Sequence, residues 1–201
     1  TILSYAVYAN VTSIALNSPT NGTYDLEGNI TFNCSGTANE STYITNTTLY
    51  VWNESESFTL YNTSINITDG SVDGAVERIF ILNNIIQLQG LNYTWNCLFE
   101  DNESTTQWAS TNYSFGVDTA APVVTLISPS NSSTDTSGPV TFRYNVTDIN
   151  SIQNCTLYFD SVLNQTNTSI TRNIDQNFTE INVPSSDTLS WKIGCTDLVN
   201  R

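Results

Sequence analysis

The chain has 201 residues, 39% hydrophobic and only 12% charged, and its 5 Lys and Arg against 19 Asp and Glu leave a formal charge of −14 with no histidine. That balance argues against nucleic acid and anionic membrane surfaces as partners, because both demand basic patches. Without histidine, Ser/His/Asp and Cys/His catalytic devices are excluded.

Residues 1–13 open the chain with period-two alternation rather than the long apolar helix of type IV pilin-like subunits. The start carries no basic, apolar leader, so the chain is expected to be a mature form. Short alternating runs separated by Gly, Asn, Asp and Ser turns then predict strands over 14–17, 29–35, 47–52, 58–67, 77–82, 93–100 and 108–117. The run Ile79 to Leu91 has apolar content that a helix could use, but its Ile and Asn favour a strand followed by a loop. Its apolar stretch to Leu88 is broken by Asn83-Asn84 and is too short to span a bilayer, so no membrane span is expected. Seven strands in about a hundred residues is the pattern of an immunoglobulin-like sandwich.

The chain then repeats itself. Ser18-Pro19 and Ser128-Pro129 stand 110 residues apart, and on that offset Val140-Thr141-Phe142 falls on Ile30-Thr31-Phe32. Cys155-Thr156-Leu157-Tyr158 matches Thr47-Thr48-Leu49-Tyr50, Trp191 stands for Trp95, and Asp197 for Asp101. The expected organisation is all-β: residues 1–13 as an N-terminal donor strand and linker, 14–118 as a first immunoglobulin-like domain, and 119–201 as a second. The same offset lays Leu3-Ser4-Tyr5-Ala6-Val7 on Tyr113-Ser114-Phe115-Gly116-Val117, the closing strand of the first domain. The second domain ends at Arg201 with no such strand, so it is expected to be completed by Leu3, Tyr5 and Val7 of a neighbouring copy.

Four cysteines in an Asn-, Ser- and Thr-rich chain point to disulfides in an oxidising compartment, and no C-x-x-C pair suggests zinc. Cys34 and Cys97 fall on the second and sixth strands of the first domain, a pin between sheets. In the second domain Tyr144 replaces the first of these. Cys155 lies on the third strand and Cys195 two residues beyond the Cys97 position, which keeps the face. The pairs expected are Cys34 with Cys97 and Cys155 with Cys195. About eighteen N-x-S/T sequons imply N-linked glycans. The sites favoured are Asn21, Asn39, Asn46, Asn62, Asn102, Asn131, Asn164 and Asn177, whereas Asn33 and Asn92 lie on strands with one covered face, and Asn33 is expected to be spared beside Cys34.

The Ser-Pro openings, the Asn-Thr-Thr-Leu-Tyr and Asn-Cys-Thr-Leu-Tyr runs ending at Tyr50 and Tyr158, the W-x-C and W-x-x-x-C spacings before an acidic turn, and the Val117-Asp118-Thr119-Ala120-Ala121-Pro122 link resemble immunoglobulin-like repeats of archaeal surface proteins. The resemblance covers nearly the whole chain and implies an extracellular, cell-surface location. The arrangement of the two ends additionally resembles donor-strand filaments such as chaperone-usher pili and archaeal threads.

No catalytic constellation emerges, and Glu100 with Asp101 reads as a solvated turn, so no enzyme is expected. Asp118, Asp25, Glu27, Asp101 and Asp148 could approach one another at domain ends, but no loop carries calcium-binding spacing, which leaves little support for Ca2+ and no cofactor other than glycans. Lys192 follows Trp191 directly and should face solvent. Trp52, Trp95, Trp108 and Trp191 lie in predicted strands, where core packing is expected over a sugar-binding platform. The function expected is a structural subunit of a glycosylated extracellular filament whose partners are identical subunits in a head-to-tail polymer. The alternative is a repeat segment of an adhesin, surface layer or viral coat, with cell-surface glycans as further partners.

Overall fold

The computed structural model describes residues 11–38, 42–53, 59–66, 75–88, 90–136, 138–181, 183 and 188–201, with backbone alone for 59–66 and 180–181. Leu3, Tyr5, Val7 and Asn39 lie outside the described residues. The chain divides into two compact units between Thr119 and Ala120. Every regular element described is a strand, and the fold is an all-β, immunoglobulin-like sandwich. Among the described residues no helix is long and apolar enough to cross a membrane.

In the first unit β1 (Val11–Ser18), β3 (Ile30–Ala38) and β6 (Ala75–Leu82) form one sheet. The other runs in the order β2 (Thr23–Asp25), β9 (Tyr113–Val117), β7 (Tyr93–Asp101), β4 (Ile44–Asn53) and β5 (Thr59–Asn66), with β8 (Thr106–Trp108) also on β7. Alternation dictates which side chains meet. Ile30, Phe32 and Cys34 of β3 point inward with Tyr93, Trp95, Cys97 and Phe99 of β7, while Thr31, Asn33 and Ser35 face out. Phe32 is wholly buried, edge-on to Trp95 at 5.2 Å and to Phe115 at 5.5 Å. Each such ring contributes roughly 1.5–3 kcal/mol by leaving water. The Cys34–Cys97 disulfide joins the sheets through this core.

The single strand predicted over 108–117 is two strands. Between Leu98↔Trp108 and Trp95↔Tyr113 the register slips by two residues, and the chain loops out over 109–112. Asn96 stabilises that loop, its Nδ2 donating to the Ala109 carbonyl at 3.2 Å and to Asn112 Oδ1 at 2.7 Å. Strand β2 was not foreseen; its three residues pair parallel to β9, a contact no local pattern announces. The segment after Leu82 is a loop, as its Ile and Asn content predicts.

The second unit repeats this plan with β10 (Val123–Ser128), β11 (Val140–Thr147) and β14 (Asp175–Ile181) in one sheet, and β13 (Val162–Asn167), β12 (Ile152–Phe159) and β15 (Trp191–Asp197) in the other. Asp160 and Ser161 both adopt positive φ, the backbone of a two-residue hairpin turn between β12 and β13. Cys155 stands directly opposite Cys195 in the β12–β15 ladder and is bonded to it, a staple within one sheet rather than a pin between two. Tyr144, at the position Cys34 holds in the first unit, is fully buried and stacks on Phe178 at 5.7 Å.

Asp101 and Asp197 confirm the equivalence of the two β-rich units. Each is buried at the end of its strand, and each accepts through Oδ1 from backbone N–H groups two and four residues on: Glu103 and Thr105 in one case, Val199 and Arg201 in the other.

Candidate functional site

The outer edge of β15 pairs with no strand among the described residues. Beside it lies a groove of about 620 Å³, walled by residues 129–135 and floored by Val140, Phe142, Leu189 and Trp191. The first unit shows what occupies that place in a closed sandwich. There β9 runs antiparallel to β7 and parallel to β2, and Phe115 sits 1% exposed, stacked on Tyr93 at 5.1 Å. On the 110-residue offset Phe142 stands for Phe32 and Thr134 for Tyr24; from the strand pairings, Leu189 stands for Tyr93 and Trp191 for Trp95. The groove is therefore lined by the counterparts of the residues that hold β9.

One difference between the two places is chemical. A methyl group on Gly116 would stand 2.5 Å from the Tyr24 ring and 2.8 Å from the Gly90 carbonyl oxygen, so that strand position must be glycine in the first unit. Thr134 replaces the Tyr24 ring in the second unit. Burial raises the pKa of the Tyr24 phenol, with nearby Asp118 adding to the rise.

Of the carboxylates considered for calcium, Asp25, Asp101 and Asp148 accept backbone hydrogen bonds in turns, and Asp118 accepts from a side chain. Asp25 Oδ1 accepts from the Glu27 and Gly28 N–H groups, Asp148 Oδ1 from Asn150 N–H, and Asp118 Oδ1 from Gln87 Nε2 at 2.8 Å. Asp101 also accepts from the Thr105 hydroxyl. Among the described residues no three His, Cys, Asp or Glu side chains gather as a metal site. Lys192 is exposed, its Nζ 5.3 Å from the centre of the Tyr158 ring.

Of the favoured sequons, Asn21, Asn102, Asn131, Asn164 and Asn177 are exposed, Asn46 is half-buried on β4, and Asn62 lies on β5 opposite Tyr50. Asn33 is not covered by the sheet. It points outward, donating from Nδ2 to Glu77 Oε1 at 2.6 Å and accepting from Asn17 Nδ2 at 3.1 Å.

The expectation that all four tryptophans pack in cores is corrected for two of them. Trp95 is wholly buried and Trp191 packs against the core of its unit, its ring 5.0 Å from that of Phe142. Trp52 and Trp108 instead lie on the outer face of the six-stranded sheet with Tyr50. Tyr50 stacks on Trp52 at 5.8 Å with planes 15° apart, and the Trp108 ring lies 4.8 Å from Tyr50 and 6.1 Å from Trp52. Alternation along β4 could have placed Trp52 outside, since Leu49, Val51 and Asn53 take the inner face. Trp108 could not be placed while β8 and β9 read as one strand.

Residues 122–190 match the family profile of a bacterial Ig domain. The chain is similar in fold to the fibronectin(III)-like modules of Clostridium thermocellum CbhA, at 12% identity over 94% of this chain and 87% of that one, with a TM-score of 0.37. It is also similar to red sea bream transglutaminase, at 8% identity over 96% of this chain and 30% of that one, with a TM-score of 0.40. Dimeric latent PorU from Porphyromonas gingivalis is a further likeness, at 14% identity over 95% and 17% of the two chains, with a TM-score of 0.36. No curated protein matches the sequence.

Proposed function

We propose that the chain is a non-enzymatic structural subunit of a glycosylated extracellular filament, joined head to tail by donor-strand complementation. Residues 1–10 of one copy enter the second unit of the next; Val11 to Ser13, expected in the donor segment and linker, belong instead to β1 of the first unit, where Val11 is buried. The observation that carries the proposal is the groove beside β15, at the place β9 fills in the first unit. Carried over from the β7–β9 ladder, the register sets Tyr5 opposite Leu189, Ser4 opposite Ser190 and Leu3 opposite Trp191. Tyr5 then takes the place of Phe115. Ala6 takes the place of Gly116, where Thr134 replaces the crowding ring of Tyr24. Two disulfides and the many sequons suit an oxidising, extracellular setting.

Burial of apolar side chains and a backbone ladder favour the joint, and the entropy of association opposes it. Three buried side chains contribute roughly 1.5–3 kcal/mol each, and ladder hydrogen bonds about 1 kcal/mol apiece. Association entropy takes back some 4–15 kcal/mol. The contact is heterologous and does not close on itself, so it propagates as an open fibre. Such a subunit requires no metal and no cofactor beyond its N-linked glycans.

Deleting residues 1–10 leaves β1 whole and should abolish fibres in electron micrographs while both units stay folded by circular dichroism. A peptide of residues 1–11 in excess should block growth of full-length protein. Fibres from the truncated chain would sink the proposal. A repeat segment of an adhesin, surface layer or viral coat is the second reading, favoured by the bacterial Ig-domain match; glycan or cell binding by non-polymerising protein would select it.

A further inference from the structure

Asn112 begins the sequon Asn112-Tyr113-Ser114, is exposed, and has its amide orientation determined by a chain of hydrogen bonds. Asn96 is 2% exposed, and its Oδ1 accepts from the Cys97 N–H at 2.7 Å, so its Nδ2 must be the atom that faces Asn112. That Nδ2 donates to Asn112 Oδ1 at 2.7 Å, which leaves the Asn112 nitrogen, the atom a glycan would join, turned away from Asn96 on an exposed residue. Asn96 also stands directly opposite Tyr50 in the β4–β7 ladder, on the outer face that carries Tyr50, Trp52 and Trp108.

We propose that Asn112 is an occupied N-glycosylation site whose first sugars lie over the Tyr50–Trp52–Trp108 aromatic surface. Ring faces carry partial negative charge and attract the C–H face of a pyranose, while the sugar hydroxyls stay in water. The cluster leaves Trp108 39% exposed, an apolar cost that a sugar covering the indole removes. This deepens the glycosylated part of the function proposed above and is independent of the donor strand.

The test uses the glycoprotein from its own cells or a glycosylating host, with Asn112→Asp as the main variant, because the carboxylate keeps the acceptor for Asn96 but removes the sequon. Glycopeptide mass spectrometry should find a glycan on Asn112. Acrylamide quenching of tryptophan emission should roughly double in Asn112→Asp, since Trp52 and Trp108 lose their cover. Asn62→Gln, which removes the sequon at the position paired with Tyr50 in the β4–β5 ladder, should leave quenching unchanged. A bare Asn112, an occupied Asn112 with no change in quenching, or a change produced by Asn62→Gln instead would overturn the proposal. Fibres lost on N-terminal truncation with Asn112 bare would overturn it alone, whereas bare asparagines at every sequon would overturn the glycosylated reading of the filament as well.

Discussion

Phe115→Ala tests whether the slot between β2 and β7 is the structural template for the groove in the second unit. Phe115 is 1% exposed, stacked on Tyr93 and edge-on to Phe32, so its truncation opens a cavity between two rings that β-sheet hydrogen bonds hold in place. Truncations of buried Phe cost about 3–5 kcal/mol. With a urea dependence of about 1–3 kcal/mol/M, the midpoint of the first unit should fall by more than about 1 M. The transition can be followed by fluorescence in a Trp191→Phe background, where the remaining indoles, Trp52, Trp95 and Trp108, all lie in the first unit. Phe115→Leu keeps most of the apolar volume and should lose mainly the aromatic contacts, about 0.5–1.5 kcal/mol. A midpoint drop for Phe115→Ala below about 0.3 M would show that the slot does not depend on its closing strand, and would remove the reason for expecting a strand in the second groove.

Gly116→Ala should destabilise the first unit by about 1–3 kcal/mol in the same assay, because the Gly90 carbonyl cannot yield to the new methyl group; a neutral result would void the argument that Ala6 suits only the second unit. Tyr144 is buried, its hydroxyl has no hydrogen-bond partner among the described residues, and burial pushes its pKa up to about 12. Since an unfolded tyrosine ionises near pH 10, the unfolded chain releases a proton that the folded one keeps. The second unit should therefore lose about 2–3 kcal/mol as pH rises from about 10 to 12. Tyr144→Phe should abolish the part of alkaline denaturation due to this group without weakening the unit at neutral pH. Replacing Cys155 and Cys195 together by Ala should cost the second unit about 4 kcal/mol for a loop with a sequence separation of 40, and calorimetry showing no loss would contradict the chain-entropy account.

Sequence alone determined the β class, the repeat, and the partners of all four cysteines. The partners of the cysteines follow from which strands are neighbours in an immunoglobulin-like sandwich. The first two follow from period-two alternation and from matching positions along one chain, a match from which the cysteines depart. The Trp191–Trp95 and Asp197–Asp101 matches were legible for the same reason, and the shared turn geometry after Asp101 and Asp197 gives them physical content. Only the tertiary structure decided where β8 ends and β9 begins, because the two-residue slip over 109–112 depends on the side chain of Asn96, distant in sequence, rather than on the apolar pattern of 108–117. It likewise decided that Trp108 joins Tyr50 and Trp52 on an outer surface, since alternation bears on Trp52 along β4 but the run 108–117 does not show that Trp108 belongs to a separate strand. The groove beside β15 belongs to this second kind. Its walls come from a segment near 129–135 and strands some ten and sixty residues further on, and a space bounded by distant parts of a chain exists only once packing has brought them together.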